Sequence, residues 1–160
     1  MNMDNLSELI TTILNKAILL KEEYITETLG SIDYVAIFPQ DENDRQHYFD
    51  FMEVLGAKVI YSDHDGPLYH LPNAIQTDYS LVSLIKICSV DSIYNPKRNK
   101  IGYVDYQTSE YQLLKDKYGK NPAFTFIYGK GWEILSLENP DEDVSVYIPN
   151  IPLSKDLDLG

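Results

Sequence analysis

Tyr48-Phe49-Asp50-Phe51-Met52-Glu53-Val54-Leu55-Gly56-Ala57-Lys58-Val59-Ile60-Tyr61 decides the fold. Its first half has helical periodicity. Tyr48, Phe51, Met52 and Leu55 fall three and four residues apart, on one face. Gly56 stops the helix, because glycine readily takes the left-handed conformation that follows a helix C-terminus. Ala57 to Tyr61 then reads as a strand. Upstream, the helix starts at Asp41, and its acidic first turn suits the positive end of the helix dipole.

The same grammar returns downstream. A helix capped by Thr108 or Ser109 runs to Tyr118 and stops at Gly119. Thr125-Phe126-Ile127-Tyr128 follows it as Lys58-Val59-Ile60-Tyr61 follows the first. The offset is roughly 65 residues, too long for a solenoid repeat and suited to a duplicated supersecondary unit. Around each helix the expected strands fall in the same order. In the first unit they are Tyr34 to Phe38, Ala57 to Tyr61, Leu68 to Leu71 and Leu81 to Cys88. In the second they are Ile101 to Tyr106, Phe124 to Tyr128, Trp132 to Leu137 and Val144 to Ile148. Asp63-His64-Asp65-Gly66-Pro67 and Gly129-Lys130-Gly131 read as turns, and Pro72 to Asp78 as a loop. The basic stretch Asn95-Pro96-Lys97-Arg98 marks the boundary between the units.

The expected fold class is α+β: two βαβββ modules forming a paired, curved, mixed sheet, with an extra N-terminal helix. The modules span residues 31–94 and 95–150 of a single domain, with the helical segment at 1–30 and a tail at 151–160. Neither half could bury both faces of its own sheet, so the halves must pack together. In the N-terminal segment, Leu6, Leu9, Ile10, Ile13, Leu14, Ala17 and Ile18 form an apolar stripe on a helix from Asn5 to about Thr28. Asn5 with Glu8 resembles a capping box. Whether the stripe packs on its own domain or on a partner is open at this level. The end of the chain, from Pro149, has two prolines and no periodicity, and reads as a loosely held arm.

These residues resemble the vicinal oxygen chelate superfamily, which includes glyoxalase I, extradiol dioxygenases and bleomycin-resistance proteins. Asp33-Tyr34-Val35-Ala36-Ile37 is similar to the Asp-His-Val-Ala-Ile-like opening strand of that group. The Val54-Leu55-Gly56 segment is similar to its Val-Leu-Gly helix end. Asn139-Pro140-Asp141-Glu142-Asp143-Val144-Ser145-Val146-Tyr147 is similar to its closing Asp-Pro-Asp-Gly-Asn segment and strand. The resemblance spans about residues 32 to 149. It implies a paired βαβββ scaffold, and a ligand cleft on a curved sheet. In metal-dependent members His and Glu side chains from four strands hold a divalent cation. Here Tyr34 stands at the first ligand position, Gly102 and Tyr103 at the second module's opening strand, and Val146 at the last. Leu81 to Cys88 contains no His, Asp or Glu, and Lys86 is its one charge. Such side chains are poor ligands for Zn, Mn or Fe(II). The resemblance therefore implies a metal-free, cofactor-free relative that sequesters a small molecule.

Composition narrows the ligand. The net charge is -12, from 13 basic and 25 acidic residues. This opposes nucleic acid and anionic membranes, and suits a cationic ligand or a basic partner. The single cysteine, Cys88, rules out an intramolecular disulfide and reads as a buried small hydrophobe. No basic-then-apolar leader opens the sequence, and no apolar run reaches the ~18 residues of a membrane span. The expected location is cytoplasmic.

No nucleophile elbow or phosphate-binding loop occurs. His47 reads as a helix-rim residue. Asp63-His64-Asp65 with His70 could hold a surface cation, though the turn explains the same residues. Thirteen tyrosines and one tryptophan are the more informative feature. Tyr34, Tyr69, Tyr103 and Trp132 fall on the expected strands, with His70 beside Tyr69. These five are the candidate ligand-binding residues, because aromatic rings with polar tips line clefts and contact cations. The expected ligand is a cationic or aromatic small molecule. Two rival readings stand beside this one. The first is a metal-dependent lyase or isomerase of the same fold with a site displaced toward His70. The second is an acidic module that binds a basic protein. The resemblance also implies that the chain could pair into a homodimer.

Overall fold

A computed structural model describes residues 1–157. The elements are α1 (Met3–Tyr24), β1 (Ile32–Ile37), α2 (Glu42–Leu55), β2 (Lys58–Asp63), β3 (Gly66–Gln76), β4 (Leu81–Ile87), β5 (Gly102–Tyr106), α3 (Tyr111–Tyr118), β6 (Phe124–Gly129), β7 (Trp132–Leu137), β8 (Val144–Pro149) and α4 (Leu153–Asp156). After α1, the order strand, helix, three strands occurs twice.

Among the described residues the eight strands form one mixed sheet in the order β2-β3-β4-β1-β5-β8-β7-β6. The two halves meet where β1 runs antiparallel to β5. Each of these central strands has a parallel neighbour, β4 beside β1 and β8 beside β5. The outer pairs are antiparallel. This is the α+β paired βαβββ fold with an added N-terminal helix.

Alternation along the strands sorts the side chains into two layers. Val35, Ile37, Ile85, Ile87, Val104, Val144, Val146 and Ile148 point to the helix-covered face and form the main core. Tyr34, Ala36, Phe38, Leu68, Cys88, Tyr103, Ile134 and Tyr147 point to the other face. Both faces of the central strands are therefore apolar, which explains their near-continuous hydrophobic runs.

α1 packs on its own domain, across β8, β5 and β1. Leu6, Ile10, Ile13, Leu14, Ala17 and Leu20 are buried there. Each large side chain contributes about 1.5–3 kcal/mol when fully withdrawn from water. The contact is close because β5 begins with Gly102. A Cβ at that position would stand 2.7 Å from Ile13 Cδ1 and 2.3 Å from the Ala36 carbonyl oxygen.

Several local expectations are corrected. α1 starts at Met3 rather than Asn5 and ends at Tyr24 rather than near Thr28. Its capping box pairs Asn2 with Asn5, so Asn5 closes the box instead of opening it. α3 has no side-chain cap at Glu110. Thr108 Oγ1 instead accepts from the Glu110 amide one turn earlier. Residues 72–76 belong to β3, and pairing with β4 survives an irregularity between His70 and Ile75. The tail is not a loose arm over its described part. Leu153 and Leu157 pack on the second apolar cluster, and the Ser154 amide donates to Asp33 Oδ2 at 3.1 Å. Residues 158–160 of the expected tail lie outside the described residues.

Candidate functional site

The second sheet face, which carries only the short α4, holds a cleft of about 390 Å³. Two rows of register partners cross this face. One is Tyr34, Asp105 and Tyr147, on β1, β5 and β8; the other is Ala36, Tyr103 and Ser145 on the same strands, and of these Tyr34, Tyr103 and Asp105 line the cleft. The Tyr34 and Tyr103 hydroxyls lie 3.0 Å apart. The Tyr103 ring packs on Tyr147 at 4.3 Å between centroids, and Tyr94 is tilted against both at 6.0 Å and 5.6 Å. Such inclined contacts avoid the disfavoured face-to-face sandwich. Burial pushes the Tyr34 and Tyr103 hydroxyls well above the usual tyrosine range, so both stay protonated; one donates to the other and one O–H is left.

Charged groups enter from the β2–β3 turn, β4 and β5. In the turn, Asp63 Oδ1 accepts from the Asp65 and Gly66 amides. Asp63 Oδ2 lies 3.0 Å from Lys86 Nζ, and Asp65 Oδ2 lies 3.9 Å from the same nitrogen. The Lys86 side chain is only 4% exposed. Burial raises the Asp65 carboxyl, opposed by Ser92 and by the Lys86 charge. Asp105 is 2% exposed and lines the cleft. Burial, reinforced by the nearby Asp33 charge, pushes its carboxyl well above the usual range, against the Tyr34 hydroxyl and Lys86. Asp105 Oδ1 has no hydrogen-bond partner.

The rim is aromatic. Trp132 opens β7, and its indole lies over Gly129, its register partner on β6. A Cβ on Gly129 would stand 1.9 Å from Trp132 Cε2, so glycine is needed for this rotamer. Tyr61 and His64 form the opposite wall, and Ile151, Leu153 and Asp156 of the tail close one end.

Of the five residues singled out in the sequence, three meet at this cleft: Tyr34 and Tyr103 in its floor and Trp132 at its rim. Tyr69 does not. Strand alternation turns it to the helix-covered face, where it packs against Phe49 of α2. His70 is exposed on the cleft side of β3, but lies in a separate depression of about 260 Å³ beside Asp33, Gln107 and Ser154. Val146, expected at the last ligand position, points into the main core instead. Lys86 and Asp105 were not among the candidate residues, and Asp63 was considered only as a surface cation ligand beside His64 and Asp65. Asp105 was findable, because it lies two positions beyond Tyr103 on one strand and so shares its face.

The side chains do not fit a divalent metal at the position the resemblance implies. Imidazole, carboxylate and thiolate hold such ions. The inward positions here carry two phenols, one buried carboxyl and an ammonium already paired with the nearest acids. Among the described residues no three His, Cys, Asp or Glu side chains converge. None of the described helices is long and apolar enough to cross a membrane.

Fold and site together define a paired βαβββ protein with an aromatic cleft on the open sheet face. No protein-family model matches the chain, and no curated protein matches it. Among solved structures it is similar to a structural-genomics protein, Protein EC4020, at 9% identity and a TM-score of 0.69, over 98% of this chain and 92% of that one. That likeness shows a shared fold over nearly the whole length, α1 included. The chain is also similar to a glyoxalase/bleomycin resistance protein/dioxygenase superfamily member from Vibrio splendidus 12B01, at 14% identity and a TM-score of 0.44, over 76% of this chain and 98% of that one.

Proposed function

We propose that the chain binds a small, planar aromatic molecule in the open-face cleft, without a metal ion. One observation carries this reading: a cleft of about 390 Å³ whose floor and rim are built from Tyr34, Tyr61, Tyr94, Tyr103 and Trp132. That volume lies within the range of small-molecule sites, and aromatic walls with a few fixed polar groups are their usual lining. The hydrogen-bonded pair of buried hydroxyls, Tyr34 and Tyr103, leaves one O–H as a directional donor. Trp132 and the tail residues Ile151, Leu153 and Asp156 add to the cleft lining. Binding without turnover is the reading that a phenol-lined floor supports best.

Trp132 is the single tryptophan, so its fluorescence reports on this cleft alone. A library of small aromatic compounds should yield members that quench or shift Trp132 emission and raise the melting temperature together. A library with no such member would overturn the proposal. Stoichiometric Zn, Mn or Fe in the purified protein would overturn its metal-free part.

A further inference from the structure

We propose that Asp105 is the anchor for a cationic nitrogen of the ligand, so that the cleft selects aromatic amines or amidines over neutral and anionic aromatics. This rests on the cleft being a small-molecule site.

Four observations carry it. Asp105 is nearly completely buried yet lines the cavity. Its Oδ1 has no hydrogen-bond partner within the protein. A buried carboxyl oxygen left unpaired costs on the order of 1–3 kcal/mol, so it is retained only where something offsets it. The nearest cation is already engaged: Lys86 lies 3.0 Å from Asp63 and 3.9 Å from Asp65. Lastly, the carboxyl shares the floor with Tyr34 and Tyr103. Aromatic rings attract a cation through their negative faces, and a desolvated carboxylate then completes its pairing. Around the rest of the cavity Asp63 and Asp156 offset Lys86 and Lys130, so Asp105 is the acid left to set the preference for a cation over an anion.

When a protonated amine enters, no covalent bond changes. The Asp105 carboxylate accepts the ammonium N–H, and any proton the carboxyl held is released to water. Burial raises the carboxyl above its ordinary range, so an entering cation favours its charged form.

The test uses three probes with one ring: 2-phenylethylamine, 2-phenylethanol and phenylacetate. Binding is read by Trp132 fluorescence and by chemical shifts of the cleft tyrosines. The amine should bind at least tenfold more tightly than the alcohol, and phenylacetate more weakly than either. In Asp105→Asn the amine's advantage over the alcohol should fall to about twofold or less. Asn has the carboxyl's shape without its charge, and unchanged chemical shifts of the cleft tyrosines in the free variant show that the cleft is intact. Equal binding of the three probes would overturn this inference and leave the cleft reading standing, as would an amine preference that survives Asp105→Asn. Failure of every probe at millimolar concentration would overturn both.

Discussion

The phenolic oxygens of Tyr34 and Tyr103 lie 3.0 Å apart across the seam between the two halves of the sheet. The two residues occupy corresponding opening strands, β1 and β5, which pair antiparallel. Their rings meet edge to face at 5.8 Å. One hydrogen bond thus ties the halves together on the face away from the helices, inside the proposed binding site.

A double-mutant cycle tests that tie. Tyr34→Phe and Tyr103→Phe should each destabilise the protein by about 1 kcal/mol, since a buried hydroxyl loses its partner. The double variant should cost less than the sum by about 0.5–1.5 kcal/mol, because both partners are then gone. Urea unfolding at neutral pH measures each value. Strict additivity would show that the contact contributes nothing.

Lys86 is the second structural charge. Lys86→Met should be costly, about 3–5 kcal/mol, because it leaves Asp63 and Asp65 without their cation in a sheltered position. Adding Asp63→Asn to Lys86→Met should recover part of the loss. A Lys86→Met protein as stable as the parent would mean that water already solvates the turn.

Asp105 gives a pH signature with a definite sign. Its carboxyl is raised above the ordinary 3.8 by burial and by Asp33, against Tyr34 and Lys86. Between the unfolded and folded values the native state holds a proton that the unfolded chain has released. Stability therefore falls as pH rises through that window, and the penalty is absent below the unfolded value. Asp105→Asn removes it. The variant should be at least as stable as the parent at pH 7, with its advantage shrinking as the pH approaches 3.8. Urea unfolding across that range checks the slope, and an advantage that grows on acidification would reverse the assignment.

Gly102 tests the docking of α1. Gly102→Ala should destabilise by about 1–3 kcal/mol through overpacking. Combining it with Ile13→Ala should give little relief, because the Ala36 carbonyl oxygen, 2.3 Å from the new Cβ, belongs to the backbone. Thermal unfolding of both variants decides this. Full rescue by Ile13→Ala would place the conflict in the side chain alone.

Much of the scaffold was legible in the residues. The stripe Tyr48, Phe51, Met52 and Leu55, stopped by Gly56, is helix-then-strand on periodicity alone, and Gly56 does adopt a left-handed φ of 74°. The order of elements followed from the same local reading. Errors arose where local signals compete. Asn2 and Asn5 are equally good cap acceptors, and only the helix geometry chooses between them. Pro72 suggested a loop, yet β3 continues through it beside an irregularity in the pairing with β4.

Facing was harder to read than order. A strand buried on one side shows its phase by alternating polar and apolar residues. β1, β5 and β8 are buried on both sides, so that signal disappears. Val146 of β8 therefore stood at an expected ligand position although it belongs to the helix-side core, and Tyr69 of β3, taken for the cleft on its aromatic ring alone, belongs there too.

By itself the sequence determined the helices, the strands, their order and the strand-borne aromatics, because these depend on contacts within a few residues. Only the tertiary structure decided which side chains share the cleft. Tyr34 and Asp105 become neighbours through antiparallel pairing across the seam. Lys86 meets Asp63 because β3 and β4 carry the turn over it. The open Oδ1 of Asp105 is likewise a result of burial. Such properties follow from register and desolvation, which are set by the whole sheet closing on its core.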